Sequence, residues 1–152
     1  METKRLASQL RRSYEGTAWH GPSLRELLEG VTAERAAAKP VPGAHSVWEL
    51  VNHIEAWERT AMTALQGQPY VSITGDADWP PVRETTAEAW QAALELLQST
   101  TSKLVETIRS TDDAKLNDMV AGKEFNYYFL LHGIVQHNLY HAGQIAILKR
   151  AF

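Results

Sequence analysis

Two histidines, His137 and His141, stand four residues apart near the end of the chain, a spacing typical of metal-binding helices. Residues four apart lie one turn apart on the same face of an α-helix, so both imidazoles can reach a common point. Imidazole nitrogens are common ligands of divalent transition metals. Spacing alone is weak support, because such a pair also arises by chance. The interpretation therefore depends on where the pair lies and on a third ligand.

The position of the pair within its helix supports metal binding. Stepping by three and four residues, the expected core seam of the last helix contains Tyr127, Leu130, Ile134, His137, His141, Gln144 and Leu148. Both ends of the seam are apolar, whereas its middle holds two imidazoles and an amide. Polar rings on a core face cost free energy unless a partner satisfies them. A bound metal and ordinary core histidines both remain open as explanations.

A third imidazole, that of His53, lies beside the apolar stripe of an earlier helix. The stripe contains Val47, Leu50, Ile54, Trp57 and Ala61. Because facing helices pack about 8–10 Å apart, His53 could meet the pair across the bundle. Three neutral imidazoles would leave the metal with an open position, as in catalytic sites. Taken alone, His53 fits better as a core histidine that donates to a carbonyl.

Two further residues could orient the ligands. Glu49 lies one turn before His53, and Gln144 lies close to His141 on the same seam. Helix capping by Glu49 and a polar end to the seam at Gln144 are simpler accounts. His45 precedes a helix cap and is expected to be exposed, His132 points to another face, and His20 lies in a loop that could approach the site.

No residue is identified as catalytic. Glu49, Glu58 and Gln144 lie on faces that suit a general base, but surface or capping roles explain each of them better. Other motifs are absent: no Glu-x-x-His pair of a di-iron site, no zinc-protease helix, no Gly-x-Ser-x-Gly and no phosphate-binding Gly-Lys-Ser/Thr loop. The chain contains no cysteine, which excludes thiolate ligands, disulfides and a cysteine nucleophile.

Four long helices would position these residues. They are expected at 2–14, from Ser46 to about Gln66, from Thr85 to about Arg109 and from about Phe125 to Lys149. Capping boxes are predicted at Ser46 with Glu49, Thr85 with Glu88 and Ser23 with Glu26, the last opening a short helix that Gly30 ends. Residues 32–39 could add a turn or two, and only 70–83 and 117–125 could hold a short strand. The aromatic residues Trp48, Trp57, Trp90 and Tyr127 are expected in the core.

The economical architecture is an all-α, single-domain four-helix bundle over residues 1–152. Its expected topology is up-down-down-up, with a long crossover between the first two long helices. The length of 152 residues suits one domain, and 44% apolar residues with 22% charged residues are typical of a compact globular protein. The net charge of −3 offers no electrostatic footprint for nucleic acid. No signal peptide or membrane span is expected, so a cytoplasmic protein is the prediction.

Three stretches of the sequence resemble the DinB/YfiT-like family of metalloenzymes. They are Trp19-His20-Gly21-Pro22-Ser23-Leu24, His45-Ser46-Val47-Trp48-Glu49-Leu50-Val51-Asn52-His53-Ile54, and His137-Asn138-Leu139-Tyr140-His141-Ala142-Gly143-Gln144-Ile145. The segment Asp78-Trp79-Pro80 also fits, and the resemblance covers nearly the whole chain. It implies a four-helix bundle, a divalent metal held by His53, His137 and His141, and a homodimer.

The resemblance also implies a small set of activities. Members with assigned functions include transferases and isomerases that use low-molecular-weight thiols such as bacillithiol or mycothiol. The leading hypothesis is therefore a metal-dependent thiol S-transferase that joins a thiol cosubstrate to a small-molecule electrophile. Nitrogen-rich sites suit zinc, nickel, copper and iron, of which zinc, nickel or iron is the expected ion. A hydrolase with a metal-activated water and a non-catalytic, metal-binding stress-response dimer remain as alternatives.

Overall fold

The computed structural model describes all residues from 1 to 152 and contains six α-helices and no strand. The helices are α1 (Glu2–Glu15), α2 (Leu24–Leu28), α3 (Ala33–Ala37), α4 (Val47–Leu65), α5 (Ala87–Ser110) and α6 (Tyr127–Lys149). Two short 3₁₀ helices, Gly75–Ala77 and Asp113–Asn117, lie in the connections. The all-α prediction is confirmed, while the relative directions of the long helices stay a prediction.

Side-chain caps define where most of these helices begin. Ser23 and Ser46 open α2 and α4, each in a capping box with the glutamate three residues later, as predicted. The capping box predicted at Thr85 with Glu88 is wrong. The N-cap of α5 is Thr86, whose hydroxyl accepts from the backbone N–H of Ala89, so Thr85 and Glu88 do not pair across the first turn. Adjacent threonines are both good caps, and the apolar register of α5 selects the second.

The two stretches considered for strands form no sheet. Residues 70–83 contain the 3₁₀ helix Gly75–Ala77 instead. In 117–125 the chain turns back on itself, with one isolated antiparallel bridge between Met119 and Asn126. The backbone N–H of Val120 donates to the carbonyl of Phe125 over 2.9 Å and completes this turn. The first connection supplies Asp78 and Trp79 to the site described below, and the second supplies Phe125 to a cavity beside that site.

The four long helices form a ring. α4 packs mainly against α5 and α6, and α1 packs against the same two helices. The short helices α2 and α3 occupy the long connection between α1 and α4 and cover the bundle against α6, α5 and α4. This arrangement places α4 directly beside α6, so that side chains from the two helices can meet inside the bundle.

The hydrophobic core is divided into two clusters. The first includes Leu50, Ile54, Leu97 and Ile145, and the second includes Leu104 with other apolar residues of α1, α4 and α6. Fully burying an aliphatic or aromatic side chain contributes about 1.5–3 kcal/mol, so each cluster is a substantial source of stability. A layer of buried polar residues separates the two clusters along the length of the helices. It consists of His53, Glu55, Glu58, Thr100, Thr101, Asn138 and His141.

The buried face of α6 differs from the predicted seam at two positions. His137 and Gln144 are only half-buried, whereas Asn138, Ala142 and Ile145 are buried. The face turned toward the core is therefore rotated slightly from the seam counted from Tyr127. This rotation leaves the His137 ring at the edge of the core, where it also lines a cavity.

Candidate metal centre

Three histidines from two neighbouring helices meet at one point of the polar layer. His53 comes from α4, and His137 and His141 come from successive turns of α6. The Nε2 atom of His137 lies 3.0 Å from Nε2 of His53 and 3.1 Å from Nε2 of His141. The available ligand atoms of the three residues all lie within 4.8 Å of one another, a grouping that could hold a metal ion. The sequence-predicted trio is thus brought together.

Hydrogen bonds on the far side of two rings determine which nitrogen is free. Nδ1 of His53 donates to the backbone carbonyl of Asp78 over 2.7 Å. Nδ1 of His141 donates to Oε1 of Gln144 over 2.6 Å. A neutral imidazole carries one proton, so in both residues Nε2 is an unprotonated acceptor that points to the common centre.

The converging nitrogens have more lone pairs than protons to share between them. His53 and His141 both present lone pairs, so at most one of the two contacts to His137 can be bridged by a proton on His137 Nε2. Nδ1 of His137 has no hydrogen-bond partner. Metal–nitrogen bonds of about 2.0–2.1 Å at right angles place neighbouring nitrogens about 3 Å apart, close to the observed separations. The donor set therefore fits a divalent cation.

Burial keeps these imidazoles neutral. The pKa of His137 is lowered to about 3, first by burial and then by the neighbouring His141 and His53. Burial also lowers the pKa values of His53 and His141, although Asp78 and Gln144 respectively oppose the shift. Metal binding requires deprotonated imidazole, so the protein holds all three rings in the binding form at neutral pH.

Asp78 ties the α4–α5 connection to the centre. Besides the carbonyl bond, its carboxylate Oδ1 lies 3.1 Å from Nδ1 of His53 and accepts a hydrogen bond of 2.8 Å from Nε1 of Trp57. Outer partners of this kind hold the orientation of a ligating histidine and raise its basicity. Sequence reasoning did not assign Asp78 this role. The resemblance in the segment Asp78-Trp79-Pro80 was the one available signal.

An indole covers one face of His53. The Trp79 ring stacks on His53 with a centroid distance of 3.8 Å and an interplanar angle of 8°. On its other face it stacks on His45 at 3.5 Å and 7°. Trp79 therefore shields one side of the centre from water, while His45, on the outer side of the indole, lies outside the converging nitrogens.

The two residues predicted to orient ligands have different surroundings. Gln144 contacts His141 as described. The Glu49 carboxylate accepts from the backbone N–H of Ser46 over 2.8 Å and forms an ion pair with Lys39 at 2.8 Å. Its other partner is His45 at 3.3 Å, so its hydrogen bonds cap α4 rather than orient His53.

The remaining histidines and one glutamate also have defined places. His20 is exposed in the α1–α2 connection, and the His132 ring packs at a tilt against Tyr128, so neither belongs to the cluster. The expected surface role of Glu58 is wrong, because this residue is completely buried. Its carboxylate accepts from Thr101 Oγ1 and from Asn138 Nδ2, both at 2.6 Å. Burial raises its pKa to about 7.

One cavity borders the cluster, and a second lies beside Gln144, the partner of His141. One has a volume of about 290 Å³ and includes His137 and Trp57 in its wall. The other has a volume of about 260 Å³ and includes Gln144 and His45. Trp57, which was expected in the core, is thus half-buried at a cavity wall. Trp48, Trp90 and Tyr127 are buried as predicted.

Comparison with protein families matches residues 17–145 of this chain to the model of the DinB superfamily. The chain belongs to the DinB superfamily. No curated protein and no solved structure matches it significantly. The match covers α2 to α5 and most of α6, and so includes all three clustered histidines. As a DinB superfamily member, the protein combines the expected helical fold with a histidine group that could hold a metal. None of its helices has the length and apolar character needed to cross a membrane.

Proposed function

We propose that this DinB superfamily protein is a metal-dependent transferase that joins a low-molecular-weight thiol to a small electrophile. The observation that carries the proposal is the convergence of three neutral Nε2 atoms, from His53, His137 and His141, on one point. An all-nitrogen set of this kind suits zinc, nickel or iron. When bound, a divalent ion held by three uncharged ligands would lower the pKa of a coordinated thiol, so that the nucleophilic thiolate forms near neutral pH.

The residues around the centre have supporting tasks. Asp78 and Gln144 fix the proton of His53 and His141 on the outer nitrogen, which leaves the inner nitrogen free to bind. Trp79 covers one face of His53 and limits access of water from that side. Because the chain has no cysteine, the sulfur must come from a cosubstrate. In the transfer a carbon–sulfur bond forms, the leaving group departs with its electron pair, and the thiol proton passes to solvent.

Two features favour transfer over hydrolysis. A transferase must admit two substrates. One cavity reaches the cluster at His137, and a second has Gln144, the hydrogen-bond partner of His141, in its wall. Hydrolysis by a water nucleophile also benefits from a nearby general base. The Asp78 carboxylate contacts the cluster only at the outer nitrogen of His53, and its Oδ1 already accepts from Trp57. A thiol that ionises on the metal needs no such base.

Metal content is the first test. Untagged protein, which avoids nickel from an affinity column, is analysed for elements beside the His137→Ala, His141→Ala double mutant. We expect about one ion per chain in the wild type and loss of this ion in the mutant. If no metal binds, and zinc, nickel or iron does not raise the melting temperature, the proposal is wrong and the histidines are core packing.

Activity then separates the reactions. Metal-loaded protein is incubated with monobromobimane as the electrophile and with bacillithiol or mycothiol, and thiol consumption is followed above the uncatalysed rate. Catalysis that requires the thiol supports the transferase. Turnover of 4-nitrophenyl acetate without added thiol, together with no thiol transfer, would favour a hydrolase. A full metal site with neither activity would favour a non-catalytic binding protein.

A further inference from the structure

The cavity beside His137 has an unusual lining. Its volume is about 290 Å³, and its wall consists of Trp57, Tyr70, Phe125, Phe129, Leu130, Gly133, Ile134 and His137. Four of these residues are aromatic. Because His137 is neutral, none of the lining residues carries a formal charge at neutral pH. A buried charge needs a partner of opposite charge, and this wall contains no acidic side chain, lysine or arginine. The cavity is therefore suited to an uncharged, apolar group.

Aromatic side chains from both long connections form the mouth of the cavity. Tyr70, from the α4–α5 connection, meets Phe125, from the α5–α6 connection, edge to face at a centroid distance of 5.9 Å. Phe125 lies 5.5 Å from Phe129 on α6. Aromatic rings favour edge-to-face and offset contacts with other rings, so such a mouth suits an aromatic guest.

The same cavity is joined to the histidine cluster. The Trp57 ring lies 6.0 Å from the His137 ring and 6.4 Å from the His53 ring, both edge to face. Its Nε1 donates to Asp78, which also contacts His53. Trp57 is therefore the wall shared by the cavity and the centre, so a molecule in the cavity lies next to the converging nitrogens.

Gly133 keeps part of the cavity open. It lies in the middle of α6, one turn before His137, where glycine costs about 1 kcal/mol of helix stability relative to alanine. A Cβ atom built at this position meets no other atom within 4 Å. The missing side chain would therefore extend into free volume rather than into a packed neighbour.

We infer that this cavity binds an uncharged aromatic group of a small molecule, whose donor atom then reaches the metal at His53, His137 and His141. The inference rests on the proposed function and adds the class of the electrophile to it. A cavity of about 150 Å³ holds one benzene ring, so about twice that volume accommodates a group of one or two rings.

Binding of a neutral dye tests the cavity without any metal. N-phenyl-1-naphthylamine is titrated into metal-free protein, and its fluorescence increase gives Kd. The variant Gly133→Leu fills the cavity, and Gly143→Leu is the matched control. Both glycines lie on α6 with free space for a side chain, but Gly143 is exposed and outside the cavity wall. Both changes favour the helix, so neither is expected to unfold the protein.

We expect wild type and Gly143→Leu to bind the dye with the same Kd, and Gly133→Leu to bind it at least tenfold more weakly. Gly133→Ala, which adds one methyl group, should give an intermediate value even if the leucine variant proves unstable. An unchanged Kd in both Gly133 variants would overturn the inference. Failure of the dye to bind to the wild type would also overturn it. If the dye does not bind and Gly133→Leu disrupts self-association, the apolar wall is instead a contact between copies of this chain.

A pair of metal-binding ligands separates this inference from the proposed function. Acetohydroxamate and benzohydroxamate share one metal-binding group, and only the second carries a ring. With zinc-loaded wild type we expect benzohydroxamate to bind at least tenfold more tightly, with this advantage lost in Gly133→Leu. Equal binding of both ligands would leave the metal site standing and overturn the cavity assignment. Binding of the dye alone, with neither hydroxamate bound, would support the cavity and contradict the metal site.

Discussion

Two buried polar clusters share the middle of α4 and α6, and they are built in opposite ways. In the carboxylate cluster, Glu58 presents acceptor oxygens to two donors, Thr101 and Asn138, at 2.6 Å each. In the histidine cluster, acceptor nitrogens of His53 and His141 face the same nitrogen of His137. Glu58 thus finds both of its donors within the chain. The histidine cluster has an excess of lone pairs, which a bound cation would satisfy.

The comparison shows how neighbouring residues of one helix can have unlike roles. Asn138 follows His137 directly, yet it is buried and donates to Glu58, while the His137 ring turns to a cavity wall. Burial of a carboxylate is expensive unless its oxygens are hydrogen-bonded, which makes the Glu58 cluster a matter of stability. The histidine cluster is proposed to bind a metal. Substitutions should therefore separate stability from metal affinity.

The largest separation is expected from His137→Ala and its neighbour Asn138→Ala. Two remaining imidazoles hold a divalent ion poorly, so His137→Ala should reduce metal content from about one ion per chain to below about one-tenth. Asn138→Ala should keep the metal and lower the melting temperature, because Glu58 loses a buried partner. Elemental analysis and thermal denaturation give both quantities.

Two results would contradict that prediction. Stoichiometric metal in His137→Ala would mean that the ligand set is wrong. His45→Ala serves as a further control and should leave metal content unchanged. Loss of metal in His45→Ala would place the third ligand in the connection before α4 rather than at His53.

The next effect concerns the pH dependence of stability. Burial raises the pKa of Glu58 from 4.5 to about 7, so the folded protein retains a proton that the unfolded chain releases. The contribution to stability is therefore fully present below about pH 4.5 and is lost as pH rises toward and past 7. Glu58→Gln cannot ionise, and its amide can donate to Thr101 while its oxygen accepts from Asn138.

Glu58→Gln should consequently be more stable than wild type by up to about 3 kcal/mol near pH 9 and nearly equal to it near pH 4. Urea denaturation at the two pH values measures the difference. Metal content should not change. A constant difference at both pH values would show that the carboxylate does not titrate in this range.

A smaller effect is expected at the residue that orients His53. Asp78→Asn keeps an oxygen acceptor for Trp57 and the backbone carbonyl for His53, but it removes the negative charge beside the ring. Metal affinity should fall about tenfold, the low end for such outer partners. Competition with a chelator measures it. Asp76→Asn, in the exposed part of the same turn, should leave affinity unchanged. Equal affinities in both variants would remove the orienting role from Asp78.

The smallest effect separates helix capping from metal binding. Glu49→Ala breaks the capping box of α4 and the contact to Lys39, so stability should fall by about 1 kcal/mol. Metal affinity should stay within twofold of wild type. Glu26→Ala removes the equivalent box of α2 and provides the control for loss of a cap. A large drop in metal affinity in Glu49→Ala alone would restore its predicted role beside His53.

Much of the fold could be predicted because its signals are local. Ser46 with Glu49 marks the start of α4, and the helical spacing of His137 and His141 places both rings on one side of α6. The error at Thr85 has a local reason as well, since two adjacent threonines offer the same hydroxyl. The resemblance to the DinB/YfiT-like family supported His53 as a metal ligand. Its position beside an apolar stripe, taken alone, favours ordinary core packing.

Contacts between distant segments escaped prediction. Asp78 meets His53 across 25 positions of chain, and Thr101 meets Glu58 across 43. Neither pairing has a spacing rule, because each depends on how a connection or a third helix packs on α4. Trp57 shows the same limit, since its place in an apolar stripe does not reveal that one edge of the ring borders a cavity.

The sequence by itself determined an all-α chain, the starts of α2 and α4 at their capping boxes and a histidine pair able to reach one point. These follow from hydrogen bonding and periodicity within a few residues. Only the tertiary structure decided how closely His53 approaches the pair, which nitrogens Asp78 and Gln144 leave free to face the centre, and that Glu58 is buried. The reason is physical: protonation state, burial and open volume depend on the packing of segments far apart in the chain.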